Sequence, residues 1–313
     1  MPNIFNRHNY DAIANTYSIV ARDPKTGEMA VAVQSHWFSV GTIVSWGESG
    51  VGVVATQSFV NKSFGLRGLD LLKQGKSPKE AIDILLSDDE GKEVRQVAIL
   101  DNTGRVAAHT GASCIKHAGH VEGNNFSVQA NMMLSEKVWS SIADTFINNK
   151  EEPLPERVLK SLEAAEAVGG DIRGVQSAAL LVVAGEPQEN PWEDPVIDLR
   201  LADHVEPLKE LSRLLKVYRA YEHMDNGDLA MEKGDKDEAL EEYNLASEMF
   251  PENLEMKYWT AVSLANIDKV EEALKLFKEI FQKDKNWLTL TERLPEAGLL
   301  TLKESELERI LSL

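Results

Sequence analysis

Cysteine is nearly absent from this chain of 313 residues, which holds only Cys114, and aromatic residues make up just 7%. One cysteine excludes an intrachain disulfide framework and agrees with a reducing compartment. Basic residues are also in deficit: 33 Lys and Arg stand against 51 Asp and Glu, a net charge of -18. The deficit is even along the chain, since residues 205–313 hold 15 basic and 24 acidic residues and residues 1–204 hold the other 18 and 27. A chain without a basic stripe repels phosphate backbones and anionic headgroups, so nucleic acid and membrane surfaces are not expected partners. No apolar run reaches the roughly 18 residues of a membrane span. The opening MPNIFNRHNYDAIAN has no signal-peptide core, and a cytoplasmic protein is expected.

Several motifs are missing as well. GKSPKE lacks the glycine spacing of a phosphate-binding loop, and neither G-x-S-x-G nor H-E-x-x-H occurs. No cofactor is expected. Cys114, His117 and His120 recur every three residues in GASCIKHAGH, a spacing that suits a metal only if this loop folds back on itself. An ordinary turn-rich connection is the better reading, and no metal ligand is assigned.

The pattern that is present is one of strands and paired helices. TYSIVARD and MAVAVQSHWF read as a hairpin about PKTGE, and Thr42–Trp46 with Val51–Gln57 read as a second one. Leu66–Gln74 and Pro78–Leu86 have helical spacing, the second opened by Ser77 as N-cap, Pro78 at N1 and Glu80 at N3. Strands are expected again over Val94–Leu100, Arg105–His109 and Phe126–Asn131. Helices follow over Ser135–Asn148 and Pro155–Val168, then strands over Ser177–Ala184 and Val196–Leu201. Helix pairs alternating with groups of strands predict an α+β fold of four layers, αββα, in which two sheets face one another and helices cover both outer faces.

After His204 the sequence reads as all-α. Slid against itself by 34 residues, it pairs Ala239 with Ala273, Leu240 with Leu274, Tyr243 with Phe277 and Ala230 with Leu264, whereas Leu245 meets Glu279. Two such copies, about 226–253 and 260–287, resemble tetratricopeptide (TPR) repeats, with Pro207–Tyr221 and Glu304–Leu311 as flanking helices. A generic helical hairpin is the ordinary alternative. The expected organisation is an extension or propeptide over residues 1–15, a sandwich over 16–204 and a helical domain over 205–313.

TYSIVARDP, VAVQSHWFSVG, GVGVVATQSFVN, GLRGLDLL and GGDIRGVQSAALLVV, in that order, resemble a family of uncharacterised domains related to the N-terminal nucleophile (Ntn) hydrolases. The resemblance spans roughly residues 16–215. It implies that Thr16, once cleavage of Asn15–Thr16 frees its amine, attacks an amide carbonyl while that amine accepts the proton; an α-amine of pKa about 7.7–8.0 suits this at neutral pH. Without the resemblance Thr16 is a β-branched residue opening a strand.

Other candidates surround it. Ser35 and His36 stand where related hydrolases place a lysine, and neither carries a permanent positive charge; His36 is either an orienting group or a rim residue beside Trp37. Asn131 is a candidate oxyanion donor or a strand-end cap. Asp171 and Arg173, in a glycine-bounded turn, could organise the site, bind a substrate carboxylate or simply hold the turn as an ion pair. Gln57, Asn61 and Gln176 are candidate substrate-binding amides. The function expected is hydrolysis of a small amide, ureido or peptide-like substrate. The competing expectation is an inactive sandwich whose repeats bind a protein or peptide. By analogy of fold a homo-oligomer is expected, with Trp37, Phe38, Phe59 and Phe64 serving either an interface or the core.

Overall fold

The computed structural model describes residues 11–313, so residues 1–10 of the expected extension lie outside the described residues. The chain forms two compact units, one ending at Leu215 and one covering Lys216–Leu313. The first unit begins with β1 (Asp11–Ala14), β2 (Thr16–Arg22), β3 (Met29–Ser35), α1 (Gly41–Val44), β4 (Ser45–Glu48) and β5 (Gly52–Asn61). It continues through α2 (Ser63–Lys73), α3 (Pro78–Ser87), β6 (Arg95–Asp101), β7 (Val106–Thr110), β8 (Gly119–Gly123) and β9 (Phe126–Ala130). Two helices, α4 (Lys137–Asn148) and α5 (Leu154–Ala167), precede β10 (Ser177–Val183) and β11 (Ile197–Leu201).

These strands make two antiparallel sheets. One runs β1-β5-β6-β7, with β4 sharing the edge of β5 that β1 occupies: β4 pairs with Gly52–Ala55 and β1 with Ser58–Asn61. The other runs β11-β10-β3-β2-β9-β8. Period-two alternation turns Val20, Met29, Val31, Val33, Ala179 and Val183 of the second sheet toward Val53, Ala55, Ala98 and Leu100 of the first, giving one shared apolar core. Helices α2 and α3 cover the other face of the first sheet through Phe64, Leu69, Ala81, Ile82 and Leu85. Phe64 is therefore core, whereas Phe38 is 63% exposed. Helices α4 and α5 lie against β9 and against β2 and β3.

Local signals explain much of this. Ser77 accepts from the Glu80 N–H, Glu80 returns the bond to the Ser77 backbone, and Pro78 fills the first turn, so α3 starts where its sequence says. The expected strand over Thr42–Trp46 is corrected: Gly41–Val44 is a helical turn and the strand starts at Ser45. A side chain at Gly41 would collide with Ala179 on β10, so this turn sits directly on the sheet, and a five-residue apolar run does not by its period separate helix from strand. Two strands were not anticipated. β1 lies within the stretch expected to be an extension, and β8 begins at the end of the expected turn-rich connection and pairs with β9.

The helical unit takes over partway along α6 (Pro207–Lys233). It continues with α7 (Lys236–Met249), α8 (Leu254–Asn266), α9 (Val270–Lys283), α10 (Asn286–Arg293) and α11 (Glu304–Leu311). No break occurs near residue 226, where the first repeat was expected to begin; α6 continues across it. Gly227 lies inside this helix because a Cβ there would come within 2.5 Å of the Tyr243 ring, and close helix packing outweighs its poor helix propensity. Residues 34 apart share environments: Ala239 and Ala273, Tyr243 and Phe277, and Ala230 and Leu264 are all buried, and the mismatched Leu245 is exposed.

Leu100 is fully buried between the sheets, so Leu100→Ala is expected to destabilise the first unit by about 2–5 kcal/mol. Phe38→Ala is expected to change stability by less than about 0.5 kcal/mol. Urea unfolding of the two variants beside the wild type checks both.

Candidate functional site

At one end of the sandwich the inward-facing positions turn from apolar to polar. The register continues the two inner faces through Ser18, Gln129 and Thr16 on one sheet and Gln57, Gln96 and Thr110 on the other. Burying a side-chain amide is costly unless its hydrogen bonds are made, and here most are made, some within a sheet and some between the two sheets. Ser18 Oγ donates to Gln57 Oε1 at 2.7 Å and accepts from Gln129 Nε2 at 2.7 Å. Gln57 Nε2 donates to Gln96 Oε1 at 2.7 Å and to the Thr16 carbonyl at 3.2 Å. Asn131 Nδ2 donates to Gln96 Oε1 at 2.9 Å, and Gln96 Nε2 donates to Thr110 Oγ1 at 2.8 Å.

Thr16 is fully buried at the edge of this layer, at the start of β2 opposite Ser35. Its carbonyl also accepts the Asn131 N–H at 3.1 Å, and its hydroxyl donates to the Ala14 carbonyl at 2.8 Å. The preceding peptide group is held more unusually. The Asn15 carbonyl accepts from Ser35 Oγ at 2.6 Å and from Arg173 Nη2 at 2.8 Å. A charged and a hydroxyl donor thus converge on one carbonyl oxygen, that of the Asn15–Thr16 peptide bond. Arg173 is aimed there by Asp171, whose buried carboxylate takes Nη2 at 2.7 Å, Nε at 3.0 Å and the Arg173 N–H at 2.9 Å. The His36 N–H also donates to Asp171, at 3.3 Å.

The structure therefore gathers Thr16, Ser35, Gln57, Asn131, Asp171 and Arg173, and sets three candidates apart. The His36 ring lies 3.3 Å from the Val175 carbonyl and is exposed, so only its backbone joins the cluster. Asn61 Oδ1 accepts from Ser63 N–H and Oγ at the start of α2. Gln176 Nε2 donates to Asp203. Asn131, expected to face an oxyanion, spends its donor on Gln96, while its Oδ1 is buried without a partner among the described residues. The sequence reading missed Gln96 and Gln129; their signal is polar residues at inward positions of otherwise apolar strands, as in RQVAIL and SVQAN. Two non-glycine residues with left-handed backbone, Ser58 at φ 69° and Met132 at φ 60°, directly follow Gln57 and Asn131.

Cys114, His117 and His120 do not converge. No group of three or more His, Cys, Asp or Glu side chains suited to a metal occurs among the described residues. Cys114 Sγ points to the Arg95 carbonyl, and burial pushes its thiol up. No described helix is long and apolar enough to cross a membrane.

Residues 16–211 match a family of unknown function, DUF1028. The chain belongs to this family. The crystal structure of a DUF1028 protein from Silicibacter pomeroyi is similar at 30% identity and a TM-score of 0.58, over 64% of this chain and 85% of that one. No curated protein matches. The DUF1028 match begins at Thr16 and covers β2 to β11 with the four helices α2 to α5, leaving β1 outside it.

The polar layer predicts a pH response. Thr110 Oγ1, which accepts from Gln96, lies 2.8 Å from His120 Nδ1, so this half-buried ring joins the edge of the layer. Burial, the largest influence, holds His120 below its ordinary 6.5; Glu122 opposes this and His109 adds to it. The unfolded chain takes the proton more readily, so this stabilisation is present above pH 6.5 and is lost as the pH falls from there. The urea midpoint is expected to drop between about pH 7.5 and about pH 5.5, and less steeply in His120→Asn. Gln96→Leu, which removes one hydrogen bond from each of Gln57, Asn131 and Thr110, is expected to cost about 3 kcal/mol at any pH in the same assay.

Proposed function

We propose that the DUF1028 unit is a self-activating amide hydrolase of the Ntn type, with Thr16 as nucleophile and a small amide, ureido or peptide-like compound as substrate. The observation that carries the reading is the convergence of Ser35 Oγ and Arg173 Nη2 on the Asn15 carbonyl, immediately before a threonine that opens an inner strand. Two sheets face to face, with a helix pair on each outer face, are the arrangement such an enzyme requires. The lysine absent beside Thr16 has a counterpart in Arg173, brought from a distant turn.

In this reading Thr16 Oγ attacks the Asn15 carbonyl carbon. The developing negative charge on oxygen is stabilised by the two donors already in place. The carbon–nitrogen bond breaks as the nitrogen takes up the hydroxyl proton, which leaves an ester on Thr16 and a free α-amine. Water then hydrolyses the ester, releasing Asn15 as a carboxylate. In the mature chain the amine takes the Thr16 hydroxyl proton during attack on a substrate, and the vacated donors receive the substrate's oxyanion. Asp171 positions Arg173, and Gln57 and Asn131 hold the Thr16 carbonyl. The helical unit, with its buried 34-residue equivalences, is read as a TPR-like module that binds a protein or peptide.

Intact mass and N-terminal sequencing of purified protein test the proposal. The expected mature chain begins at Thr16, and Thr16→Ala retains the full N-terminus. Ser35→Ala is expected to slow cleavage about 10²–10³-fold, the usual effect of losing one oxyanion donor. Arg173→Lys, which keeps the charge beside the buried Asp171, tests the second donor while avoiding an unpaired buried carboxylate. A wild-type chain that keeps residues 1–15 under all conditions refutes the free-amine mechanism.

A further inference from the structure

The segment ahead of Thr16 does more than delay its exposure. β1 adds as an antiparallel strand to the edge of β5, in the register Asp11↔Asn61, Ala12↔Val60, Ile13↔Phe59 and Ala14↔Ser58. The chain then crosses to the opposite sheet through Asn15, which is 1% exposed, and enters β2 at Thr16. Ala14 is fully buried, and the Asn15 side chain is enclosed with its Oδ1 unpaired among the described residues. Residues 11–15 thus lie as an extended peptide along a sheet edge, with their last carbonyl oxygen held by Ser35 Oγ and Arg173 Nη2.

Cleavage at Asn15–Thr16 makes this segment a separable peptide in the position of a reaction product. Its departure leaves three features that fit one class of ligand. The edge of β5 over Ser58–Asn61 regains unpaired backbone groups, a template for strand addition. The space around Ala14 admits a small side chain, and the space around Asn15 admits one of asparagine size. The paired donors receive a carbonyl oxygen beside Thr16.

We infer that the substrate of the mature site is an extended peptide that pairs antiparallel with β5 in the register of residues 11–15, carries a small residue at the Ala14 position, and is cleaved after the residue at the Asn15 position. This rests on the self-activating reading above and gives it a substrate class. Thr16 Oγ attacks the carbonyl carbon of that residue, the peptide bond breaks with the proton passing through the Thr16 amine to the leaving nitrogen, and water releases the acyl group as a carboxylate.

The test uses processed full-chain product whose Thr16 terminus has been verified by mass. The substrates are acetyl-Asp-Ala-Ile-Ala-Asn-aminomethylcoumarin and acetyl-Asn-aminomethylcoumarin. The expected result is a kcat/KM at least about tenfold higher for the longer peptide, equivalent to about 1.4 kcal/mol of strand binding. Backbone N–H groups of an added strand point alternately toward and away from its neighbour. Methylating the nitrogen of the second residue in one peptide and of the third in another is therefore expected to abolish the advantage in one and spare it in the other. Equal rates for long and short substrates, turnover of neither, or equal losses from both methylated peptides overturn the inference. A preparation in which Thr16 stays internal overturns the self-activating reading itself, and the substrate class with it.

Discussion

Ser18, Gln57, Gln96, Gln129 and Asn131 stand between two sheets whose other facing residues are mainly alanine, valine and leucine. Their amide and hydroxyl groups must find partners there or the fold loses about 1–3 kcal/mol for each one left bare. Two of these pairs join opposite sheets: Ser18 on β2 with Gln57 on β5, and Gln96 on β6 with Asn131 just beyond β9. An apolar interface tolerates small slips, because dispersion and burial have no direction. A layer of amides does not, since each donor and acceptor is satisfied at only one offset. The layer therefore sets the register of one sheet against the other, and the apolar core behind it follows.

That registration places the chemistry. Gln57 and Asn131 both hold the Thr16 carbonyl, so the first residue of β2 is tied to the network and cannot fray as strand ends commonly do. With Thr16 fixed, the Asn15 carbonyl falls between Ser35 on the neighbouring strand and Arg173 from the turn after α5. The Asp171 carboxylate is fully buried, a costly position that its three bonds to Arg173 and the His36 N–H offset. Left-handed backbone at Ser58 and Met132, beside Gln57 and Asn131, places strained residues next to the same cluster. Backbone strain of this kind is retained where geometry matters more than local stability.

Much of this architecture was legible in the residues. Alternation in TYSIVARD and MAVAVQSHWF, closed by PKTGE, marks a hairpin because a sheet with one face on a core and the other under helices needs strict two-residue periodicity. Ser77-Pro78-Lys79-Glu80 marks a helix start because those side chains satisfy the first turn wherever it lies. Thr16, Ser35, Asp171 and Arg173 were singled out together, although Arg173 was assigned to substrate and Asn131 to the oxyanion. Asn61 and Gln176 carry side-chain amides as Gln57 does, and the fold separates them because one bonds Ser63 at the start of α2 and the other faces Asp203.

Composition, periodicity and capping, all local in origin, determined most of the element order, the pairing of helices, the absence of a disulfide framework and the 34-residue equivalence of the helical unit. The tertiary structure alone decided which polar residues meet. The sites of Gln96, Gln129 and Gln57 are far apart along the chain, and no local rule states that their strands will stand opposite one another. It also decided that residues 11–14 form a strand, since four residues have no helical or strand preference strong enough to act alone and adopt one only when an edge such as β5 offers its backbone groups. Sequence patterns record what each segment prefers; the convergence of Ser35 and Arg173 on the Asn15 carbonyl arises from contacts separated by 20 and 158 residues, which only the packed chain can bring together.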